Sequence, residues 1–339
     1  MRNIKKALTF RASSVGDCLM GKYLLENIHA QYPEARCGII VANHGDLMRD
    51  LFAAYPWLEV IEVNRHSPRA LWSLWKNFRG SDLVVTQYAG KKGGRFAFAS
   101  KLAARLLAKR GGLIGFTDAS KVNGLLYDKL ISLSRTEAPA FLECEVLNAA
   151  GIPIEKKWPT FQYVPVPSVL EKFSLTPKGY IVVHLFAGNK SRGLHPDKKR
   201  GLLVALQQKF PNMRLIVSGG KGDREEAEHI TESLSARVIA GETTLQELST
   251  LIAESRGTIS VDTGVAHMTA QIGTPLIVLV GCLGRHWWQG GQYRPGAPIS
   301  VFSRADLCTS GHQVSEGYSD CLGEITIADV VYTATKALV

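Results

Sequence analysis

The sequence predicts an α/β protein of two tandem domains, each a parallel sheet covered by helices. Three observations predict it. The 339 residues exceed what one ordinary hydrophobic core organises. Strand-like and helix-like segments alternate along most of the chain, the rhythm of a parallel sheet with crossover helices. The alternation breaks once, in a passage holding Pro153, Pro159, Pro165 and Pro167, and then restarts. We therefore expect domains over 1–165 and 166–325, with 326–339 as a closing C-terminal helix.

In the first domain, Lys6–Phe10 is a short strand, and Gly16–Ala30 has helical spacing with Leu19, Tyr23, Leu24 and Ile28 on one face. Cys37–Ala42 is a nearly continuous apolar run, as buried parallel strands require. Helix is expected over His44–Ala54, strand over Glu59–Val63, helix over Pro68–Phe78 and strand over Asp82–Thr86. A basic helix from Arg95 to Ala108, a strand over Gly112–Phe116 and a helix over Pro139–Ala150 complete this half.

The second half repeats the pattern. Strands are expected over Tyr180–Leu185, Met213–Ser218, Val238–Ala240, Gly257–Val261 and Leu276–Val280. Helices are expected over Lys198–Lys209, Asp223–Leu234, Thr244–Glu254, Gly264–Ile272 and Ile327–Leu338. Thr244 followed three residues later by Glu247 is a capping-box signature.

Composition narrows the class. Hydrophobic residues make up 45% and charged residues 21%, which suits a folded, soluble protein. No apolar run approaches the ~18 residues of a membrane helix. Behind Arg2, Lys5 and Lys6 the apolar stretch is only Ala7–Phe10, too short for a signal-peptide core. A cytoplasmic protein is expected. The six cysteines form no C-x-x-C pair and no Cys/His zinc spacing, so they are expected as reduced thiols, mostly core filler. Cys308 and Cys321 are the one pair close enough in sequence to watch for a disulfide.

The net charge of +10 is unevenly placed. Residues 1–160 hold 23 Lys and Arg against 14 Asp and Glu, leaving +9, while residues 161–339 hold 17 against 16. Such asymmetry suggests that the first half meets a polyanion: a nucleic acid, an anionic membrane surface or a phosphorylated glycan. Solubility alone is the plainer account. Nucleic acid ranks last, because the aromatics of a stacking platform are not interleaved with the basic residues.

Four strand ends carry candidate chemistry, because ligands bind at the C-terminal ends of open parallel sheets. Arg11 to Asp17 leaves a strand and enters a helix. Its small residues permit close approach, and Asp17 near the helix start either accepts a proton from a bound hydroxyl or merely complements the helix dipole. Asp262-Thr263-Gly264 opens another helix, where free backbone N–H groups suit a phosphate. Helix capping is the alternative for Asp262 and Thr263, and a satisfied core histidine is the alternative for His267. The loop Ala187–Arg192 offers the cations Lys190 and Arg192 for a leaving phosphate, or is a solvated turn. Gly219-Gly220 precedes Asp223 and Glu225, either of which can hold a ribose diol unless the segment is a plain tight turn. The chain has no P-loop, no D-x-D pair for a divalent metal and no complete G-x-G-x-x-G. Metal-free chemistry without a resident cofactor is expected.

Taken in order, these pieces resemble glycosyltransferase family 9, the heptosyltransferases, over roughly residues 6–285. The motifs are Arg11 to Asp17; Gly241, Thr243, Leu245, Glu247 and Leu248; and Asp262, Thr263, Gly264, His267, Gly273, Thr274 and Pro275. The resemblance implies a GT-B fold, two Rossmann-like parallel-sheet domains facing a central cleft. It implies an N-terminal acceptor-binding domain and a C-terminal domain for a nucleotide-sugar donor. It further implies inverting, metal-independent transfer, most simply of heptose from ADP-heptose to a lipopolysaccharide inner-core acceptor.

Asp17 would then be the general base. Lys190, Arg192, Asp223, Asp262, Thr263, Gly264 and His267 would bind the donor. Ser13, Ser14, Gly16, Lys91, Lys92 and Arg95 would face the acceptor. The K-x-W-P run frequent in relatives is replaced here by Arg192-Gly193-Leu194-His195-Pro196, so both Lys190 and Arg192 stay candidates for the phosphates. The expected partners are a nucleotide sugar and an anionic glycolipid, with peripheral contact at the cytoplasmic face of the inner membrane. The alternatives are a transferase of the same fold with another nucleotide sugar or a protein acceptor, and a catalytically silent nucleotide- or glycan-binding module.

Overall fold

The computed structural model describes residues 3–11, 14–63, 67–87, 95–117, 123–132, 138–282, 284–288, 292–308 and 314–338. The chain divides into two compact units. The first holds Met1–Thr160 and Gly290–Arg294, and the second holds Phe161–Gln289 and Pro295–Val339.

The first unit is built on β1 (Lys6–Phe10), β2 (Arg36–Val41), β3 (Leu58–Glu62), β4 (Leu83–Val85), β5 (Leu113–Phe116) and β6 (Lys129–Ile131). They lie in the order β3-β2-β1-β4-β5-β6, every pair parallel. The connecting helices are α1 (Val15–Gln31), α2 (Gly45–Leu51), α3 (Pro68–Phe78), α4 (Arg95–Leu107), α5 (Asn123–Leu126) and α6 (Pro139–Ala150). Local signals place several ends. Ser67 caps α3 with Pro68 at its first position, and Gly151 closes α6 at a φ of 71°. Leu8, Phe10, Ile40, Val84 and Leu113 of the strands pack with Leu74, Phe78 and Leu107 of the helices. The chain re-enters this unit late, where buried Gln292 accepts from the Ala140 N–H and donates to Met20 Sδ.

The second unit repeats the winding. Its strands are β7 (Tyr180–His184), β8 (Arg214–Val217), β9 (Ala236–Val238), β10 (Gly257–Val261), β11 (Leu276–Val280) and β12 (Ile299–Ser303). They form a parallel sheet in the order β12-β11-β10-β7-β8-β9. Its helices are α7 (Ser168–Lys172), α8 (Pro196–Lys209), α9 (Arg224–Ile230), α10 (Leu245–Glu254), α11 (Gly264–Ile272), α12 (Asp320–Gly323) and α13 (Ile327–Ala337). A small hairpin, β13 (Val314–Ser315) and β14 (Tyr318–Ser319), precedes α12. The capping box of Thr244 and Glu247 at α10 is formed in both directions. α13 closes onto this unit, sending Val330, Ala334 and Leu338 into the same core as Leu202 and Leu206 of α8.

In each sheet the first strand is central and the fourth returns to its other side. The order therefore reverses between β1 and β4, and again between β7 and β10. The two reversal points leave crevices at the strand C-termini, and the candidate loops follow β1, β7 and β10.

The structure departs from the sequence expectation at the sheet edges. β6 and β12 were not expected. Neither is fully buried, so neither carries the continuous apolar run that marks an inner strand. The helix expected over Asp223–Leu234 is instead a 3-10 turn over Lys221–Asp223 and a shorter α9 ending at Ile230. Beyond it Ser233 takes a φ of 64°, which no helix continues. No helix of the described residues is long and apolar enough to cross a membrane.

Candidate active site

In the first unit the turn after β1 feeds α1. Ser14 is the N-cap, and its Oγ accepts from the Asp17 N–H at 3.2 Å. The same hydroxyl lies 2.7 Å from Asp17 Oδ2, to which it donates. Asp17 is thus held in the first helical turn, half-buried, with one oxygen fixed by Ser14. Gly16 is buried beside it. Ser13, Lys91 and Lys92 lie outside the described residues, as does the side chain of Arg95, whose backbone begins α4.

Under this turn sits a group the sequence reading did not find. Arg11 is 1% exposed, and its Nη2 meets Oε1 of Glu143 on α6 at 2.6 Å. Gly21 makes the space, since a Cβ there would stand 2.7 Å from Arg11 Nε. Burial pushes the Glu143 carboxyl above its ordinary range, Arg11 pulls it back, and the charge of Asp17 adds to the rise.

In the second unit three strand ends converge on Asp262. It follows β10 and is 3% exposed. Trp288 Nε1–H donates to its Oδ1 at 2.8 Å, and His267 Nε2 lies 3.6 Å from the same oxygen. The His267 ring stacks on Trp288 at 4.7 Å and sits tilted against Trp287 at 4.9 Å. Arg192 Nη1 reaches within 3.9 Å of Oδ2. Burial works to raise the Asp262 pKa, but His267, Trp288 and Arg192 outweigh it and hold the carboxyl below its ordinary value. Asp262 is therefore held ionised, its Oδ1 fixed by Trp288 while its Oδ2 makes no hydrogen bond among the described residues. Gly284 is required next to it, because a Cβ there would fall 1.9 Å from Oδ2.

Beside this carboxylate, α11 begins at Gly264. Thr263 is its N-cap in extended conformation, and its side chain makes no capping hydrogen bond. The first-turn N–H groups of Gly264, Val265 and Ala266 have no acceptor within the helix, which is the anion-binding arrangement of a helix start.

Lys190 and Arg192 share one 3-10 turn but point differently. Lys190 lies over the Tyr318 ring at 6.0 Å, while Arg192 approaches Asp262. Leu194, within the run that replaces K-x-W-P, is buried in the core of this unit. Asp223 is half committed: its Oδ2 accepts from the Gly220 N–H at 2.7 Å, so it closes the glycine turn and keeps Oδ1 for another donor.

His184, at the end of β7, is a further residue missed from sequence. Its Nδ1 lies 3.0 Å from Ser218 Oγ. Removal from water is the main reason its pKa is lowered to about 4, with Asp223 pulling the other way. The unfolded chain titrates this ring near 6.5 and so takes up the proton first as pH falls. We expect the stability linked to His184 to be complete above pH 6.5 and lost as pH falls toward 4. Unfolding midpoints measured across that window should decline in the native protein and flatten in His184→Asn. An equal slope in both removes His184 as the cause.

Two tandem parallel sheets, each wound in this order, together with the likeness to the solved structures below, place the chain in the GT-B class of α/β protein. Within the second unit, residues 170–283 match the family model described as glycosyltransferase family 9 (heptosyltransferase). The chain is similar to E. coli ADP-heptose lps heptosyltransferase II, with 20% identity, 98% of each chain covered and a TM-score of 0.70. It is similar to the glycosyl transferase family 9 protein of Veillonella parvula DSM 2008, at 16% identity, 100% of this chain and 98% of that one, and TM-score 0.75. E. coli heptosyltransferase WaaC, solved with ADP, shows 16% identity, 98% and 99% coverage, and TM-score 0.68. No curated protein matches the chain.

Proposed function

We propose that the protein is an inverting glycosyltransferase that moves a sugar from a nucleotide diphosphate to a hydroxyl of an anionic glycolipid. The donor in this reading is ADP-heptose and the acceptor is the lipopolysaccharide inner core. The observation that carries it is the uncapped start of α11 beside the buried Asp262–Trp288–His267 group, inside the family-matched segment. Solved relatives of the same fold described as ADP-heptose enzymes or as bound to ADP support the choice of nucleotide.

The donor diphosphate lies at the N–H groups of Gly264 and its neighbours, with Arg192 as the nearer cation and Lys190 at the rim. Thr263 and His267 line the same side, and Asp223 Oδ1 takes a ribose hydroxyl. Asp17 accepts the proton of the acceptor hydroxyl as that oxygen attacks the anomeric carbon from the face opposite the diphosphate. The C1–O bond to phosphate breaks with inversion, and the departing charge is met by the helix start and Arg192. No step asks for an added metal, so the rate should not depend on added magnesium. Ser14 and Gly16 belong to the acceptor side in this reading, and Ser13, Lys91, Lys92 and Arg95 are assigned to the acceptor by the sequence resemblance alone. The +9 of the first 160 residues favours a phosphorylated glycan at the cytoplasmic face of the inner membrane.

Calorimetric titration with ADP, UDP, GDP and NAD, without added metal, tests the donor. We expect ADP alone to bind well. Arg192→Ala should weaken ADP by about 10–100-fold, as loss of one charged hydrogen bond would, and Lys190→Ala by less. Preference for UDP or GDP sinks the heptose assignment. Binding of none of the four sinks the donor site.

A further inference from the structure

Cys282, Cys308 and Cys321 come from three separate segments of the second unit. Cys282 lies two residues after β11, Cys308 follows the 3-10 turn Ala305–Leu307, and Cys321 sits in α12. None of the three is in a disulfide, so Cys308 and Cys321 are not paired. Their Sγ atoms nevertheless all lie within 4.8 Å of one another. Among the described residues this is the one place where three such ligand atoms converge.

Two features go beyond proximity. Sulfurs bound to one tetrahedral cation at metal–sulfur distances of about 2.3 Å stand roughly 3.8 Å apart, so these three are already near one face of such a tetrahedron. The Cys282 backbone N–H also donates to Cys321 Sγ at 3.3 Å. An N–H aimed at a sulfur stabilises its thiolate and fixes its direction, as outer contacts do around bound metals. Cys321 is buried while Cys282 and Cys308 are half-buried, which leaves a route in.

We infer that Cys282, Cys308 and Cys321 form a thiolate site for one thiophilic divalent cation of the zinc type. Each thiol gives its proton to solvent as its sulfur binds, and the fourth position is left to water or another small ligand.

The placement suggests what the cation does. Cys282 opens the loop that carries Gly284, Trp287 and Trp288, and Trp288 holds Asp262. Cys321 follows Ser319, whose hydroxyl donates to the carbonyl of Ser191, between Lys190 and Arg192. One ion would tie together the two loops that frame Asp262, as a clamp and not as a participant in transfer. The site itself does not depend on the donor reading; only this consequence does.

The test uses the full chain, purified under reductant and stripped of metal. Zinc is titrated against a chromophoric chelator, and cobalt(II) reports ligand type through its sulfur-to-metal charge-transfer absorption. We expect one equivalent of zinc and a thiolate cobalt spectrum. Each single Cys→Ser variant should weaken zinc beyond the ~10–100-fold that a lost outer contact costs, and Cys144→Ser should bind as the native chain does. Zinc binding that is absent, or that survives in all three single variants, overturns the site. If a variant fails to fold, the native cobalt spectrum decides alone, and absence of sulfur-to-cobalt absorption overturns the inference. Loss of two thiols to a disulfide with no metal bound also overturns it and makes the cluster redox chemistry. Weaker ADP binding by the stripped chain, restored by zinc, identifies the clamp, whereas failure to bind ADP with zinc in place counts against the donor reading alone.

Discussion

Asp17→Ala should lower kcat by ~10²–10⁴ while ADP binds as before, because general-base assistance is worth that much and the donor contacts lie elsewhere. Asp17→Asn should fall equally far. The amide keeps the size of the carboxylate and can still meet Ser14, but it cannot take a proton. The helix should survive both changes, since Ser14 still caps α1 and only one dipole-complementing charge is lost. Ser14→Ala provides the contrast. It removes the hydrogen bond that orients Asp17 Oδ2 together with the cap of α1, so its loss of kcat should be smaller than that of Asp17→Asn and should come with a modest loss of stability. Single-turnover rates with ADP-heptose and a phosphorylated inner-core acceptor read all three. Undiminished turnover in Asp17→Asn would remove Asp17 from the base role and leave it a helix-start residue.

Legibility in the sequence followed locality. The turn into α1 was readable because Ser14 and Asp17 sit three residues apart at a strand end. α10 was readable because its capping box is a four-residue code. β10 and α11 were equally plain, an apolar run followed by Thr263 and Gly264. What escaped was assembled across distance. Glu143 reaches Arg11 from 132 positions away, and no local pattern announces the pair. Trp288 comes to Asp262 from a loop 26 positions on. The signal that could have found it was positional: two adjacent tryptophans in a glycine-rich loop directly after an inner strand. Of the three cysteines only Cys308 and Cys321 stand near each other in sequence, so the fold alone brings Cys282 to them. Edge strands β6 and β12 escaped for a different reason, since half-exposed strands lack the apolar run on which the reading relied.

The Arg11–Glu143 pair should be the most costly single contact to break in the first unit. Arg11 is 1% and Glu143 0% exposed, so neither charge has water to fall back on. Arg11 Nε and Nη1 and Glu143 Oε2 make no hydrogen bond among the described residues, so the single 2.6 Å contact carries most of the compensation. Glu143→Leu leaves an isolated guanidinium that cannot shed its proton. It should destabilise the fold by about 3–5 kcal/mol, read from chemical denaturation. Arg11→Met leaves a carboxyl that can neutralise itself, and burial already favours its protonated form. Its folded pKa then lies above the unfolded value, so the proton is held more tightly by the native state. The stability of Arg11→Met should be fullest below the unfolded value and fall as pH rises through the folded one. The double variant Arg11→Met/Glu143→Leu should recover most of the loss, because two apolar side chains replace the pair without an orphaned charge. Recovery of stability without recovery of turnover would mean that the pair serves to aim the Arg11–Asp17 turn. Additive losses in the double variant would show that the two residues do not act through each other.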